Sequence, residues 1–464
     1  MQQDDTIAAV ATALGMGGSG IVRISGPQAK GILSRMFLPL SPRFSQFRPW
    51  TLHRGRMLDA TGAAVDDVLA VFMPGPRTFT GEDVAEIQCH GGPAILRTAL
   101  ETVVALGGRL AERGEFSRRA LLHGRMDLTQ AEAVAEMIAA PGRDALRLGT
   151  AKLDGVLGQR VSALRARLED LRLALCVAVD FPEEEVECLA PQAFAAVVDD
   201  VIRAVDALLQ GRRRCRCWQE GVSVVLGGAV NAGKSSLLNA LLGRSRALVT
   251  DIPGTTRDFL EEFVDIDGLP VRLTDTAGLR CSEDAVERLG IARSRERLAA
   301  ADIVLLVLDG SLGPRAFDAL GEEGEAVLRQ PGPPVLLVWN KTDLVPEPDI
   351  PASWREAAAG CVGVCARTGE GLEALTAAIR GLVLQWGGGE PRPGDVAPNV
   401  RQAAALERAR EELALLGADI AAGFPYDVCA VRLDASVAVL GEITGADTPA
   451  QVLDRVFETF CIGK

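Results

Sequence analysis

One eight-residue segment constrains this chain more than any other: Gly228 to Ser235, which reads Gly-Ala-Val-Asn-Ala-Gly-Lys-Ser. It matches the phosphate-binding P-loop, in which glycines let backbone N–H groups converge on phosphates at the start of a helix. Such a loop joins a buried strand to a helix, so we predict a strand before Gly228 and a helix beginning near Lys234. Lys234 is then expected to reach the β- and γ-phosphates, while the Ser235 hydroxyl ligates Mg²⁺.

Two later motifs indicate which nucleotide the P-loop binds. In the segment Asp275–Gly278, Asp-Thr-Ala-Gly, the aspartate is expected to hold magnesium through a water and the Gly278 amide to sense the γ-phosphate. The segment Asn340–Asp343, Asn-Lys-Thr-Asp, is typical of guanine recognition. Its Asp343 carboxylate can accept from N1–H and N2–H₂ of guanine, a pair of donors that adenine lacks, and the Lys341 methylenes can cover the base and ribose. The three motifs in this order predict a GTP-binding protein.

The residues around the second motif bear on hydrolysis. Thr250–Asp258 has the composition of a flexible switch segment, which can add Thr256 as a second hydroxyl ligand to the metal. Small GTPases follow Asp-Thr-Ala-Gly with a glutamine that orients the attacking water, whereas this chain has Leu279. An apolar side chain cannot orient water, so water positioning and extra positive charge have to come from elsewhere. Glu287 is a nearby carboxylate that could act through water; an exposed acid on a loop is the alternative interpretation.

Composition limits the classes of protein to which this chain can belong. The chain is 48% apolar and 24% charged, as soluble globular proteins are, and its 464 residues predict about three domains. Its longest apolar runs are too short to span a membrane, and the N-terminus lacks the order of a signal peptide. The ten cysteines have no framework-like spacing, which favours free thiols and a cytoplasmic location. A net charge of −13 disfavours nucleic-acid binding by broad phosphate neutralisation.

Three local features have structural interpretations. We interpret the Arg212–Arg214 run as a solvated helix end. The pair Cys215 and Cys217 lacks a second Cys/His pair at zinc spacing, which disfavours a metal site. The segment Gly15–Gly20 matches Gly-x-Gly-x-x-Gly but leads into Ile21–Ile24, which reads as a strand; a dinucleotide site would need a helix there.

The pattern along the chain predicts the fold. From Gly221 to about residue 385, short β-rich runs alternate with helical stretches, as in a doubly wound, mostly parallel sheet. Gly387–Gly394 is a linker by composition, and a second helical stretch begins near Val400. An amphipathic helix precedes the α/β region, its apolar face formed by Val161, Leu164, Leu168, Leu171 and Leu175. The predicted strands are Ile21–Ile24, Val68–Phe72, Val84–Gln88, Val222–Leu226, Val271–Thr274, Ile303–Leu308, Val335–Trp339 and Cys361–Cys365.

Helical stretches on both sides of the α/β region leave two possible organisations. The economical one is a single helical domain, split in the sequence, with the α/β domain inserted into it, since insertion is tolerated where the ends of the inserted domain lie close together. Two separate helical modules are the alternative.

Several further segments occur together over nearly the whole chain. They are Asp5–Ala8, Gly20–Gly26, Thr80–Asp83, Gly114–Ser117, Asp127–Glu132 and Cys461–Lys464. With the GTPase motifs, they resemble the MnmE (TrmE) family, the GTPases of tRNA wobble-uridine modification. The resemblance implies a multi-domain α/β and α fold, with a P-loop GTPase domain inserted into a helical domain and preceded by an α+β tetrahydrofolate-binding domain. The implied ranges are 1–120 for folate binding and dimerisation, 217–386 for the GTPase domain, and 121–216 with 387–464 for the two parts of the helical domain.

The resemblance also implies partners and cofactors. Members of this family form homodimers and act with MnmG (GidA), a flavoprotein that carries the FAD, in a heterotetramer or larger complex. Together they build a carboxymethylaminomethyl or aminomethyl group on C5 of the tRNA wobble uridine, U34. A tetrahydrofolate derivative resembling 5-formyltetrahydrofolate supplies the one-carbon unit, and GTP hydrolysis uses Mg²⁺ and is stimulated by K⁺.

The family's functional residues carry over by position. Asn231, Thr250, Ile252 and Thr255 match the residues that surround K⁺, whose charge takes the place of an arginine finger. Ser235 and Thr256 match the magnesium ligands, and Glu287 matches the glutamate that orients water. The implied GTP contacts are Asn231, Ala232, Gly233, Lys234, Ser235, Ser236, Thr250, Asp251, Ile252, Pro253, Gly254, Thr255, Thr256, Asp275, Thr276, Ala277, Gly278, Asn340, Lys341, Thr342, Asp343, Val364, Cys365 and Ala366.

Other matches lie at the chain ends and in the guanine-reading loop. The implied folate contacts are Arg23, Glu82, Arg125 and Lys464, with Arg125 standing where lysine is usual. Cys365 replaces the usual serine of the guanine-reading loop, where the backbone makes the contact, so binding should survive. Cys461 matches a cysteine that the modification chemistry needs.

Two other functions stay open at this point. A regulatory or ribosome-assembly GTPase without modification chemistry would need a basic RNA-binding tail, and this acidic chain, ending in Cys-Ile-Gly-Lys, shows none. An independent folate enzyme with the GTPase merely attached would bind folate without Lys464.

Overall fold

The computed structural model of the protein describes residues 5–13, 15–180, 191–244, 261–275, 300–320, 326–328, 332–345, 350–387, 389–392 and 394–463. The chain divides into two compact units. The first comprises Met1–Ile138, Lys152–Arg203 and Ala404–Lys464, and the second comprises Ala139–Ala151 and Ala204–Ala403.

The α-helices defined within the described residues are α1 (Ala29–Arg35), α2 (Pro93–Ala105), α3 (Glu115–Leu122), α4 (Leu128–Ile138), α5 (Arg143–Leu153), α6 (Val156–Asp180), α7 (Pro191–Glu220), α8 (Lys234–Arg244), α9 (Arg315–Asp318), α10 (Ala352–Ala357), α11 (Leu372–Trp386), α12 (Val400–Ala421), α13 (Tyr426–Thr444) and α14 (Ala450–Glu458).

The first unit contains a seven-stranded, mainly antiparallel sheet. Its strands are β1 (Ile7–Val10), β2 (Gly17–Ser25), β3 (Phe37–Pro39), β4 (His53–Leu58), β5 (Ala64–Met73), β6 (Val84–Gly91) and β7 (Arg109–Leu110). The order is β3-β4-β5-β6-β2-β1-β7, and β1 pairs with β7 in parallel. The three predicted strands are present. β2 begins at Gly17, so the glycine-rich segment enters a strand, as the sequence indicated.

Side-chain alternation along β2 gives this sheet two different faces. Val22 and Ile24 are fully buried in a core that includes Ile32 of α1 and Leu96 of α2. The residues between and beyond them, Arg23 and Ser25, belong to the opposite face, where they enter a polar network. The strand therefore supports the hydrophobic core and a polar site at the same time.

Helices from both sides of the α/β region pack together in the first unit. The five residues of the predicted apolar face of α6 are all buried, and α6 packs against α13. Arg165 of α6 forms an ion pair of 2.9 Å with Asp447, which follows α13. One helical domain, split in the sequence, is therefore confirmed, and the alternative of two separate helical modules is wrong.

The second unit contains a six-stranded sheet. Its strands are β8 (Val222–Gly228), β9 (Glu261–Ile266), β10 (Leu269–Asp275), β11 (Ile303–Asp309), β12 (Val335–Asn340) and β13 (Gly360–Val364). The order is β13-β12-β11-β8-β10-β9, and neighbouring strands are parallel except for β9. All five predicted parallel strands are present. β9 was missed because it is an edge strand with three acidic residues among its six.

The arginine run before β8 differs from its sequence interpretation. Arg213 is exposed, as expected for a solvated helix end. Arg214, however, forms an ion pair of 3.0 Å with Asp395, and Arg212 donates a hydrogen bond of 2.7 Å to the Pro398 carbonyl. That interpretation is wrong for two of the three arginines, because they tie the segment before α12 to α7 within the second unit.

The cysteines of the described residues are free thiols. Cys215 and Cys217 are buried, and burial raises the pKa of Cys215 to about 12 and that of Cys217 to about 11. Both thiols therefore stay protonated at neutral pH and pack as small apolar groups. Within the described part of the chain, no helix has the length and apolar content needed to cross a bilayer.

Candidate nucleotide-binding site

The P-loop joins β8 to α8 with a backbone that requires glycine at two positions. Gly228 has φ +135° and Gly233 has φ +92°, values that side chains rarely tolerate. A Cβ atom on Gly228 would lie 2.3 Å from the Val307 carbonyl oxygen, and one on Gly233 would lie 2.2 Å from Asn340 Nδ2. Close packing against β11 and against the end of β12 therefore fixes the course of the loop.

The polar groups of the loop suit a phosphate. Lys234 is buried, and its Nζ donates to the carbonyl oxygens of Gly228 (2.8 Å) and Ala229 (2.7 Å). Ser235 and Ser236 are exposed in the first turn of α8, and Asn231 is exposed at the loop tip with φ +64°. A helix N-terminus with an ammonium and hydroxyl groups beside it binds anions and, through Ser235, can offer oxygen to Mg²⁺.

Asn340 connects the guanine motif to the P-loop. It ends β12 and is only 2% exposed. Its Nδ2 donates to the Ala232 carbonyl oxygen (2.9 Å), and its Oδ1 accepts from the Ala366 backbone N–H (3.1 Å). One carboxamide thus holds together the P-loop and the loop after β13, two parts of the predicted GTP site.

Asp343, the predicted guanine-reading carboxylate, is held from two sides. Its Oδ1 accepts a hydrogen bond from the Cys365 thiol (3.2 Å), and its Oδ2 accepts one from Arg367 Nη2 (2.7 Å). The Thr342 backbone N–H donates to the carbonyl oxygen of Val364 (3.2 Å), which aligns the two loops. Cys365 is buried and, like the serine it replaces, is a hydrogen-bond donor.

Two residues of this site were missed in the sequence. Arg367 contacts Asp343 as described, and Asp309, at the end of β11, binds Lys341 with 2.6 Å between Oδ2 and Nζ. Burial alone would raise the pKa of Asp309, but hydrogen bonds from Lys341 and Ser311 outweigh it and lower the pKa. The available signal was the position of Asp309 at the carboxyl end of a predicted parallel strand, where ligand sites form.

Other residues predicted for the GTP site lie outside the described residues. They are Thr250, Asp251, Ile252, Pro253, Gly254, Thr255, Thr256, Thr276, Ala277, Gly278 and Glu287. Asp275 is placed by its backbone as the last residue of β10, which neighbours β8 in the sheet. The structure therefore brings together the P-loop, Asn340–Asp343 and Val364–Ala366.

A second polar site lies on the first unit's sheet. Glu82 accepts hydrogen bonds from the Ser25 hydroxyl (2.6 Å) and from Arg119 Nη1 (2.9 Å). Arg23, two residues before Ser25 on β2, forms an ion pair of 2.8 Å with Glu86. Arg125 is exposed and donates to the Thr78 carbonyl oxygen at 3.1 Å. Arg23 and Glu82 thus belong to neighbouring parts of one polar face.

Charged residues to which the sequence analysis assigned no contact support this face. Glu115 is buried between Arg109 (2.8 Å) and Arg119 (3.0 Å), and both arginines also bind Asp5. Burial alone would raise the pKa of Glu115, but hydrogen bonds from Arg109, the Glu112 backbone and Arg119 lower it. The network therefore holds ionised carboxylates in the interior, where unpaired they would be costly.

The end of the chain reaches the same unit's sheet region. Ile462 forms a β-bridge with Arg113, and the Gly114 N–H donates to the Cys461 carbonyl oxygen at 3.4 Å. Gly463 has φ +97°, and a Cβ atom there would lie 2.3 Å from the Val10 carbonyl oxygen of β1. The exposed Cys461 is thereby fixed beside the N-terminal domain; Lys464 lies outside the described residues.

These features define a class of protein. A P-loop at the carboxyl end of one parallel strand, with a guanine-recognition motif at the end of another strand of the same sheet, is the arrangement of P-loop GTPases, which hydrolyse GTP. The order of the three nucleotide motifs agrees with this arrangement.

Comparison with known proteins gives the family within this class. The model of the MnmE helical domain matches residues 128–461, and that of the GTP-binding protein TrmE N-terminus matches residues 6–125. The tRNA modification GTPase MnmE of Nitratidesulfovibrio vulgaris (strain DP4) is 59% identical over 100% of both chains. That of Lawsonia intracellularis (strain PHE/MN1-00) is 48% identical over 99% of this chain and 100% of its own. This chain belongs to the MnmE family, which confirms the resemblance noted in the sequence.

Among solved structures, the G domain of the T. maritima FeoB iron transporter is 28% identical and covers 35% of this chain and 98% of its own, with a TM-score of 0.26.

Proposed function

We propose that this chain is the GTP-hydrolysing component of tRNA wobble-uridine (U34) C5 modification in the cytoplasm. The observation that carries the proposal is the full-length match to relatives named tRNA modification GTPases, with family models on both the N-terminal and the helical regions. Residues 217–386 would hydrolyse GTP, residues 1–120 would bind folate and dimerise, and 121–216 with 387–464 would form the helical domain.

Mass spectrometry of tRNA nucleosides tests this role. Cells lacking the protein should lose the C5-modified wobble uridine, and wild-type protein should restore it. The Lys234→Ala variant, which lacks the P-loop ammonium, should not restore it. A modified-to-unmodified ratio that is unchanged by the deletion would refute the role and would favour a regulatory GTPase without modification chemistry.

For hydrolysis, we assign K⁺ to Asn231, Thr250, Ile252 and Thr255, and Mg²⁺ to Ser235 and Thr256. The support is chemical: Leu279 cannot orient water, and Asn231 presents an exposed carboxamide at the tip of the P-loop. Bound there, the two cations supply positive charge beside the phosphates. GTPase rates measured in KCl and NaCl should differ strongly, and equal rates would exclude the K⁺ assignment.

We assign the orientation of the attacking water to Glu287. Glu287→Ala should slow hydrolysis and leave the affinity for GTP close to that of the wild type, because the carboxylate would act on water and not on the nucleotide. Weakened GTP binding with an unchanged rate at saturation would instead indicate a structural role. Single-turnover hydrolysis and nucleotide titration separate these outcomes.

For folate, we assign Arg23, Glu82, Arg125 and Lys464 as contacts for a 5-formyltetrahydrofolate-like ligand. Arg23 and Glu82 share the polar face of the sheet, and the packing of Gly463 against Val10 brings the chain end to β1, next to β2. Calorimetric titration of full-length protein with 5-formyltetrahydrofolate should show binding that Glu82→Gln weakens. Deletion of Lys464 should weaken it too; unchanged affinity would favour an independent folate domain.

For assembly, we propose a homodimer that acts with the FAD-containing flavoprotein MnmG and with tRNA, and a role for Cys461 in the modification. Cys461 is exposed, and its backbone is fixed by the Gly114 N–H. Cys461→Ser should therefore abolish the modified uridine while leaving GTP hydrolysis unchanged. Light scattering should give a dimer alone and a larger complex with the flavoprotein; a monomer would contradict the assembly.

A further inference from the structure

Asp309 and Lys341 meet where two parallel strands end. β11 and β12 are paired so that Asp309 lies opposite Asn340, and Lys341 is the next residue after Asn340. Lys341 has φ +67°, a left-handed conformation that residues other than glycine seldom adopt. With this turn in the backbone, Lys341 Nζ lies 2.6 Å from Asp309 Oδ2. The side chains are 32% and 12% exposed, so solvent screens the pair less than it would a surface pair.

The Asp309 carboxylate is anchored independently of the lysine. Its Oδ1 accepts from the Ser311 backbone N–H (3.0 Å) and from the Ser311 hydroxyl (2.5 Å). The turn that carries these donors lies close to β12, since a Cβ atom on Gly310 would be 2.4 Å from the Asn340 carbonyl oxygen. One oxygen therefore caps the turn, and the other is directed to Lys341.

We propose that Asp309 is a positioning residue for guanine-nucleotide binding, which holds the Lys341 ammonium so that the lysine stem is fixed where it covers the base and ribose. The proposal rests on GTP binding alone and is independent of the modification chemistry. A free lysine side chain would lose rotamer freedom when a nucleotide binds, which weakens binding. By holding the Lys341 ammonium, Asp309 restricts the rotamers of the lysine before the nucleotide binds.

The two oxygens of Asp309 make the proposal testable. Asp309→Asn keeps an acceptor for the Ser311 N–H but removes the charge that holds Lys341. In full-length protein, fluorescent GDP and a fluorescent non-hydrolysable GTP analogue should both bind about tenfold more weakly, the loss expected for a charged hydrogen bond. KM for GTP should rise by the same factor, with kcat unchanged, since the contact is the same in ground and transition states. Preference for GTP over ATP should stay, because Asp343 reads the base.

Three further variants complete the test. Ser311→Ala removes only the hydroxyl donor to the capping oxygen, so its nucleotide affinity should equal that of the wild type. Lys341→Met keeps Asp309 and its turn and should show the same tenfold loss, which tests the proposal even if Asp309→Asn does not fold. The double variant should bind nucleotide as Lys341→Met does, because two residues that act as a unit are not additive.

Several results would overturn the proposal. They are wild-type nucleotide affinity in Asp309→Asn or in Lys341→Met, additive losses in the double variant, an affinity loss in Ser311→Ala equal to that in Asp309→Asn, and a fall in kcat at unchanged KM. A failure of the tRNA-modification assay with normal nucleotide binding bears on the proposed function and leaves this inference untouched.

Discussion

Replacing Asn340 with alanine should weaken guanine-nucleotide binding severely, although the variant removes no phosphate contact. The carboxamide is 2% exposed and makes one hydrogen bond to the Ala232 carbonyl oxygen (2.9 Å) and one from the Ala366 N–H (3.1 Å). Its loss leaves the buried Ala232 carbonyl and the part-buried Ala366 N–H without these partners, at up to about 1–3 kcal/mol each. If the two loops separate so that water can hydrate these groups, the nucleotide site is disrupted and the lost free energy appears as weaker nucleotide binding. A loss of about 3 kcal/mol corresponds to an affinity loss of about 100-fold.

Fluorescent GDP titration, together with thermal unfolding, measures this effect. Val338→Ala is the matched control, because Val338 is fully buried in the same strand and does not bridge the loops. The control should lose about 2 kcal/mol of stability through its cavity, while its folded fraction binds nucleotide normally. If Asn340→Ala binds GDP within about threefold of the wild type, or if Val338→Ala weakens binding equally, the carboxamide bridge does not organise the site.

Three more expectations follow from particular contacts. Gly233→Ala should abolish nucleotide binding in the same titration, because its Cβ would lie 2.2 Å from Asn340 Nδ2 at φ +92°; wild-type binding would contradict this. Thr342→Val should leave the unfolding temperature unchanged or raise it, since the buried Thr342 Oγ1 has no hydrogen-bond partner among the described residues; a fall of several degrees would show that the hydroxyl is needed. The pKa of Glu115 is lowered from 4.5, so its stabilisation is complete above pH 4.5 and is lost as the pH falls through the lower folded-state value. Glu115→Gln should therefore flatten the fall of the unfolding temperature below pH 4.5, and an unchanged slope in that range would show that Glu115 does not cause the fall.

Much of the GTPase domain could be predicted from its sequence. The runs Val222–Leu226 and Val335–Trp339 are strands in the structure, each extended by one or two residues. Parallel strands buried on both faces have continuous apolar runs, which are visible without tertiary information. β9 escaped notice because its acidic residues belong to an edge strand, and edge position is decided by the rest of the sheet.

The polar face that contains Arg23 and Glu82 was predictable only through the family resemblance. Arg23 and Glu82 have no motif spacing that would unite them, and Arg119 and Glu115 read as an ordinary charged stretch of helix. Their association depends on β2, the turn before β6 and α3 meeting in one unit. The proposed GTP contacts at Asn340–Asp343 could be suggested from sequence because the motif is contiguous, whereas the roles of Arg367 and Asp309 could not.

The sequence by itself determined which ligand the GTPase domain binds, because the P-loop and the guanine motif each place their chemical groups at fixed short spacing. Only the tertiary structure decided which remote residues hold those groups: Ala232 lies 108 residues from Asn340, and Asp309 lies 32 residues from Lys341. A hydrogen bond requires its atoms within about 3 Å. Between separate strands, that distance is set by sheet order and register, which no local pattern of residues specifies.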